Sequence, residues 1–434
     1  MTTARQVAVE ALLGVNTKGG YSNLVLNNEL KQAKLTPQDN AFASVLFYGV
    51  LERKLTLDHY IMHYTKKPMN KLTPAVVEIL RTAFYQLMYM ENIPPSAVVN
   101  ESVTLTRVNR CSSASGFVNG VLRAFIRDDK KPVPVKGGEI AVMSVGYSCP
   151  EWIIKLLIND YGKESTLKIL QSFFGRKTLY ARVNTVKTTT EQIINLFDKK
   201  EIAAKADLLQ NCISLNGTGS IEKLGIYKRG LFHIQDKACQ LALECFSPKS
   251  GERILDACSA PGSKSFTMAE YMNNTGEIVA CDIYPHKLPL IEDGAKRLGI
   301  NIIKPILQDS TVFNESLGEF DKVLCDVPCS GLGIMGKKPE IRYKEQAEIQ
   351  KIDELQYKIL ENSSKYCKVG GIVMYSTCTL NKAENQAVAE KFIAEHTEFE
   401  PFESNLHKSG WYTTLLPYEE DTDGFFFATM RRKV

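Results

Sequence analysis

The sequence predicts a multidomain chain: an all-α domain, then a small α+β domain, then a larger α/β domain. Three patterns predict this. Apolar residues recur at helical spacing up to about residue 130. Beyond residue 140 helix-like stretches mix with short strand-like pieces. From about residue 250 short apolar runs alternate with amphipathic helices, the pattern of a parallel sheet with helices on both faces. The expected bounds are residues 1–130, 140–235 and 236–434.

In the first segment, "ARQVAVEALLGV" and "AVVEILRTAFYQLMYM" read as amphipathic helices. Pro94 and Pro95 precede another, "SAVVNESVTLTRVNR", with Ser96 as its expected N-cap. "DDKKPVPVKGGE", residues 128–139, is charged and rich in Pro and Gly, so it reads as a linker. The middle segment holds a helix, "PEWIIKLLINDYG", and strand-like "LYARVNTV" and "ISLNG". The last segment offers five strands: "ERILDAC", "EIVACDI", "IIKPILQD", "KVLCDV" and "GIVMYST".

Composition is that of a globular chain, with 44% hydrophobic and 24% charged among 434 residues. No apolar run is long enough to span a bilayer, and "MTTARQVAVE" is unlike a signal peptide, so a cytoplasmic location and no membrane partner are expected. The 11 cysteines are scattered, never spaced CxxC, which argues against a disulfide framework or a zinc ribbon. No metal is expected; His59 and His63, four apart, have no third ligand. Residues 1–150 carry 17 Lys and Arg against 11 Asp and Glu. Lys66, Lys67 and Lys71, and Arg123, Arg127, Lys130 and Lys131, offer cations to phosphates; the plainer reading is solvated helix faces. Trp152 and Trp411 read as packing residues, and Arg431, Arg432 and Lys433 as a frayed tail.

Ligands of such a sheet bind outside the carboxyl ends of its strands. The first strand runs into "DACSAPGSK", residues 256–264, a small-residue turn that lets backbone amides approach a ligand closely. The second ends at Asp282, suited to a ribose diol, and the third at Asp309, set to meet an exocyclic amine. Together these suggest an adenosine-containing ligand. GxGxxG and GxxxxGK[ST] are both missing, which disfavours a dinucleotide and an NTPase.

The fourth strand ends at Asp326, with Pro328 and Cys329 following; the fifth ends at Ser376, Thr377 and Cys378. Neighbouring strands would bring both thiols to one rim. A lone free cysteine is most often structural, but two at strand ends beside an acid fit one reaction. Carbon 5 of cytosine is too electron-poor to attack a methyl sulfonium. A thiolate adding to C6 turns C5 into an enamine carbon that can. Asp326 would polarise the base, one thiol would attack, and the other would assist release. Spacing leaves open which thiol does which.

"DACSAPGSK", "DVPCSGLG", "KKPEIRY", "YSTCTLNKAENQ" and the final "DGFFFATM" resemble signature blocks of the RNA cytosine-5 methyltransferases of the NOL1/NOP2/Sun family. The resemblance implies a Rossmann-like class I methyltransferase domain. It implies that Cys378 is the nucleophile, that Cys329 promotes release, and that Asp326 activates the base. It also implies that Cys258, Ser259, Ala260, Pro261, Gly262, Ser263, Lys264, Asp282, Asp309 and Asp326 surround S-adenosyl-L-methionine. "AVVNESVTLTR", "FVNGVLRAF" and "YSNLVLNNEL" are similar to the helical NusB RNA-binding domain. That fusion implies 16S ribosomal RNA, free or in an early small-subunit particle, as partner, and a monomer is expected. Where the family pairs arginines, this chain has Lys337 and Lys338, which cannot fork onto phosphate, so weaker RNA contacts are expected there, and Tyr343 replaces a common Trp as a possible stacking ring. Two other readings stay open: the same chemistry on another RNA such as tRNA, and a non-catalytic RNA-binding ribosome assembly factor.

Overall fold

The computed structural model describes residues 2–18, 22–175, 177–404 and 410–434. Tyr21, which opens the block "YSNLVLNNEL", lies outside the described residues. The chain forms two compact units: Met1–Phe174 with Lys338–Lys344, and Gly175–Lys337 with Glu345–Val434.

The first unit is all helical. Its helices are α1 (Ala4–Lys18), α2 (Ser22–Ala33), α3 (Pro37–Glu52), α4 (Lys54–Thr65), α5 (Pro74–Tyr89), α6 (Pro95–Val108), α7 (Ser115–Arg127), α8 (Glu139–Tyr147) and α9 (Glu151–Ser172). Start signals are local: Thr36 accepts from Asp39 N at 3.2 Å to cap α3, and Pro37 takes its first position. At α6 the expected cap is corrected. The cap is Pro94 and Pro95 opens the helix, leaving Ser96 inside its first turn, because proline's fixed φ already suits that position. One core spans α1 to α7, with Phe84 and Phe125 stacked at 4.6 Å. Each such buried ring contributes about 1.5–3 kcal/mol. The Pro-rich stretch after α7 is laid back on the unit: His59 on α4 meets Val133 O at 3.2 Å. Among the described residues no cluster of His, Cys, Asp or Glu could hold a metal. No single helix there is long and apolar enough to cross a membrane.

Residues 338–344 complete this unit. Arg342 donates to Glu52 O and to Phe173 O, each at 3.1 Å. Tyr343 donates to Leu51 O at 2.6 Å, and Ser22 Oγ donates to Glu340 at 2.8 Å. Tyr343 is therefore a packed anchor in this structure rather than an open stacking ring. Its hydroxyl has found backbone carbonyls, and burial pushes it up to about 12.

The second unit contains two sheets. The smaller is antiparallel, in the order β2-β3-β1-β4, from β1 (Leu179–Val183), β2 (Ala203–Ala206), β3 (Cys212–Asn216) and β4 (Phe232–Ile234). α10 (Thr190–Asp198), begun by a Thr189–Gln192 capping box, and α11 (Gly225–Lys228) accompany it.

The larger sheet runs β10-β12-β9-β8-β5-β6-β7, with β11 paired to β12. Its strands are β5 (Arg253–Asp256), β6 (Glu277–Asp282), β7 (Ile303–Leu307), β8 (Phe320–Asp326), β9 (Cys367–Thr377), β10 (Phe399–Pro401), β11 (Tyr412–Leu415) and β12 (Phe425–Arg432). β5 to β9 pair in parallel, and β10, β11 and β12 are antiparallel. α12 (Lys237–Phe246), α13 (Ser263–Tyr271) and α14 (Leu288–Leu298) bury one set of apolar side chains against the sheet. α15 (Ile352–Ser364) and α16 (Gln386–Glu395) bury another. The expected frayed tail is also corrected. Arg431 and Arg432 belong to β12, Arg431 Nε lies 3.1 Å from Glu400, and Arg432 donates to Cys367 O at 2.6 Å.

Candidate active site

The chain winds from β5 out through β6 to β7, then returns to lay β8 on the other side of β5. That reversal is the topological switch point, where the loops after β5 and β8 part and leave a crevice. Both strands end in acids there, Asp256 and Asp326.

After β5 the turn of small residues doubles back: Ser259 N donates to Cys281 O at 2.8 Å and Gly262 N to Ser259 O at 2.7 Å. Gly262 has φ 102°, and a Cβ there would meet Phe266 Cζ at 2.7 Å, so glycine is required. Cys258, Ala260 and Ser263 are half-buried, Ser259 and Gly262 are buried, and Pro261 is exposed. The Cys258 thiol is pushed far up by burial, and by the charges of its neighbours. Asp256 accepts from Ser265 Oγ at 2.7 Å, while its other oxygen is buried without a partner. Burial pushes its carboxyl up to about 6, despite that bond.

Lys264, the second residue of α13, reaches Asp326: Nζ lies 2.6 Å from Oδ2. Asp326 Oδ1 accepts from Ser376 Oγ at 2.8 Å, because Asp326 and Ser376 stand in register on β8 and β9. Burial is the strongest single influence and would lower Lys264, but the charges of Asp326, Cys239 and Asp256 and the hydrogen bond to Asp326 together outweigh it and hold the ammonium well above its ordinary range.

Cys329 and Cys378 lie on the loops after these same two strands, with their sulfurs 3.3 Å apart. The Cys378 thiol is raised well above its ordinary value. The hydrogen bond with Cys329 is the largest cause, then burial, then the charges of Cys329 and Asp326; Lys264 opposes them.

Asp282 ends β6, nearly buried, and accepts from Tyr284 N at 2.9 Å. Asp309 lies two residues beyond the end of β7, in a turn. It accepts from Thr311 Oγ1 at 2.7 Å and Thr311 N at 2.9 Å, bonds that hold its carboxyl below the usual range. The structure thus brings Lys264 onto Asp326 and Cys329 onto Cys378 at the ends of β8 and β9, while the described bonds of Asp309 stay within its own turn.

Lys337 departs from the expected RNA-facing role. Its ammonium is bound to Asp236, the N-cap of α12, and lies 3.0 Å from Asp423. Three features of the site were not assigned in the sequence: the orphaned oxygen of Asp256, the Ser376 bond, and the pairing of Lys264 with Asp326. The last had a signal, since the switch point sets the start of α13 opposite the end of β8.

Family models match three stretches: the NusB family over residues 2–127, the Methyltr_RsmF/B-like, ferredoxin-like domain over 149–222, and 16S rRNA methyltransferase RsmB/F over 243–431. The chain is 34% identical over 445 residues to the probable ribosomal RNA small subunit methyltransferase B of Bacillus subtilis (strain 168), covering 100% of this chain and 99% of that protein. It is 32% identical to the protein of the same description from Synechocystis sp., covering 100% of both. The crystal structure of PH0851 aligns with TM-score 0.86 at 24% identity, over 100% of this chain and 99% of that one. The crystal structure of NSun6 from Pyrococcus horikoshii with SFG aligns with TM-score 0.61 at 20% identity, over 66% of this chain and 98% of that one. The two structures share the fold. Fold and domain matches define the class: a methyltransferase with a Rossmann-like catalytic domain, preceded by a NusB domain and a ferredoxin-like domain. The chain belongs to the 16S rRNA methyltransferase RsmB/F family.

Proposed function

We propose that this enzyme methylates C5 of a cytosine in 16S ribosomal RNA through a covalent bond from Cys378 to C6. The observation that carries the reading is the Cys329–Cys378 pair at 3.3 Å, on the same rim as the Lys264–Asp326 pair.

The residues present fit S-adenosyl-L-methionine. The tight turn from Cys258 to Ser263 leads into a helix N-terminus, and Asp256 keeps one buried oxygen unmatched. Asp282, which ends β6, and Asp309, two residues beyond β7, would hold the ribose hydroxyls and the adenine amine. When bound, S-adenosyl-L-methionine supplies an electrophilic methyl group.

The protein's own side chains do the rest. Asp326, held by Lys264 and Ser376, accepts from the N4 amino group of the cytosine and, in its protonated form, donates to N3, where charge develops. Cys378 loses its proton and attacks C6, which makes C5 nucleophilic. After methylation, loss of the C5 proton restores the C5–C6 double bond and expels the Cys378 thiolate. Cys329, within hydrogen-bond reach of Cys378, promotes that release.

Ribosomal RNA as substrate is supported by the family and by the relatives' descriptions, and it makes the cytoplasm the place of action. The proposed domains are residues 1–130, 140–235 and 236–434, a division supported by the matched stretches, with α8 and α9 of the second packed in the helical unit. The test is transfer of tritiated methyl to unmodified 16S transcript and, in parallel, to unmodified tRNA, followed by nucleoside analysis. Label in 5-methylcytosine is expected. Label only in tRNA, or none with folded enzyme, contradicts the reading.

A further inference from the structure

A buried carboxylate behind the thiols has more partners than a turn cap needs. Glu384 is 1% exposed, in the short 3-10 turn Lys382–Glu384 after Cys378. Its Oε2 accepts from Ser330 N at 2.8 Å and from Gln356 Nε2 at 3.0 Å. Its Oε1 accepts from Asn381 Nδ2 at 3.0 Å. Ser330 follows Cys329, Thr379 follows Cys378, and their hydroxyls are bonded at 2.7 Å. One hydroxyl pair thus lies a single residue from both sulfurs.

The donors around Glu384 cannot turn without losing other bonds. Gln356 Nε2 also donates to Pro328 O at 3.0 Å, and the Tyr375 hydroxyl donates to the backbone oxygen of Glu384 at 2.5 Å. Asn381 Oδ1 accepts from Ala383 N at 3.2 Å. Three N–H groups therefore converge on two oxygens, and a carboxylate satisfies them all. A glutamine there would set its own N–H₂ against a donor on one side.

We propose that Glu384 is a positioning residue that fixes the spacing of the Cys329 and Cys378 thiols. It acts through the Ser330 backbone and the Ser330–Thr379 hydroxyl pair. The functional side of this inference rests on the proposed roles of the two thiols. Its geometric side does not, because spacing is measurable without turnover.

The experiment uses the full chain carrying Glu384→Gln. Diamide takes two electrons from Cys329 and Cys378 and leaves them as a disulfide, and peptide mapping follows the rate at which that link forms. In parallel, kcat and KM for S-adenosyl-L-methionine are measured on 16S transcript. A shift of ~1 Å costs up to about 10²-fold, so the link and kcat should each slow by about tenfold or more, with KM little changed. Ser330→Ala, a milder change that keeps the backbone N–H, should slow the link a few-fold and decides the matter if Glu384→Gln does not fold. Wild-type linking in the folded Glu384→Gln variant overturns the proposal whatever kcat does. Wild-type linking in Ser330→Ala does so if that variant must decide. Slowed linking with unchanged kcat upholds the spacing role and overturns the catalytic assignment of the thiols instead.

Discussion

Lys264 Nζ lies 2.6 Å from Asp326 Oδ2, so the helix after the small-residue turn and the strand before Cys329 meet in one largely buried ion pair. Removing one partner of such a pair leaves an uncompensated charge. Loss of Lys264 also removes the cation that pulls the Cys378 thiol down against the hydrogen bond and burial that raise it.

That pair predicts a pH dependence. The proposed attack requires the Cys378 thiolate, and the thiol is held above its ordinary value. Single-turnover methyl transfer should therefore rise with pH as the thiolate fraction grows. Lys264→Met moves the rising limb further upward. Each unit of displacement lowers the rate about tenfold on the acid side, so the deficit should shrink as pH rises. A pH-independent deficit would show that Lys264 acts by another route.

At the cofactor end, Asp282→Ala should weaken S-adenosyl-L-methionine. A hydrogen bond to a charged group is worth about 1.5–3 kcal/mol, which corresponds to roughly tenfold or more in affinity. Calorimetry on the folded variant checks this. Unchanged affinity would remove Asp282 from the ribose.

The exposed cations of the helical unit can be tested without cutting the chain. Lys66, Lys67, Lys71, Arg123, Arg127, Lys130 and Lys131 are all exposed. Replacing Lys67, Lys71, Arg123 and Arg127 with alanine should weaken RNA binding and flatten its salt dependence. The slope should fall by up to about 0.7–0.9 per lost phosphate contact. An unchanged slope would make these side chains a solvated face. A truncation would be ambiguous, because it strips the partners of Arg342 and Tyr343 as well.

Arg342 bridges Glu52 O and Phe173 O, and is 1% exposed. Arg342→Met keeps the bulk but leaves both carbonyls short of a donor, at a cost of about 1–3 kcal/mol. Thermal unfolding of the helical unit should shift down by several degrees, at about 2–4 °C per kcal/mol. No shift would mean water replaces the guanidinium.

Much of the catalytic domain was legible because its signals are local. The five parallel strands announce themselves as short apolar runs. Asp282, Asp326, Cys329 and Cys378 follow from where those runs stop. What was not legible depends on partners far away in sequence. Tyr343 and Arg342 look like exposed aromatic and basic residues until the carbonyls of Leu51, Glu52 and Phe173 come to meet them. Lys337 reads as a phosphate contact until Asp236 and Asp423 enclose it. Arg431 and Arg432 look like a loose end, but β12 continues to Arg432 because β9 and β10 supply partners on either side. The strands β2 and β4, of 4 and 3 residues, are too short for alternation to register.

The most direct test of the account is the covalent complex with RNA. Cys378→Ala removes the attacking thiol and should form no adduct and no 5-methylcytosine. Cys329→Ala keeps the attack but slows release, so a methylated protein–RNA adduct should accumulate. It should run as a shifted, denaturant-resistant band that needs RNA and carries label from S-adenosyl-L-methionine. The double variant should lose that band. If Cys378→Ala gives the trapped adduct and Cys329→Ala gives none, the roles are reversed and the account of the site is wrong.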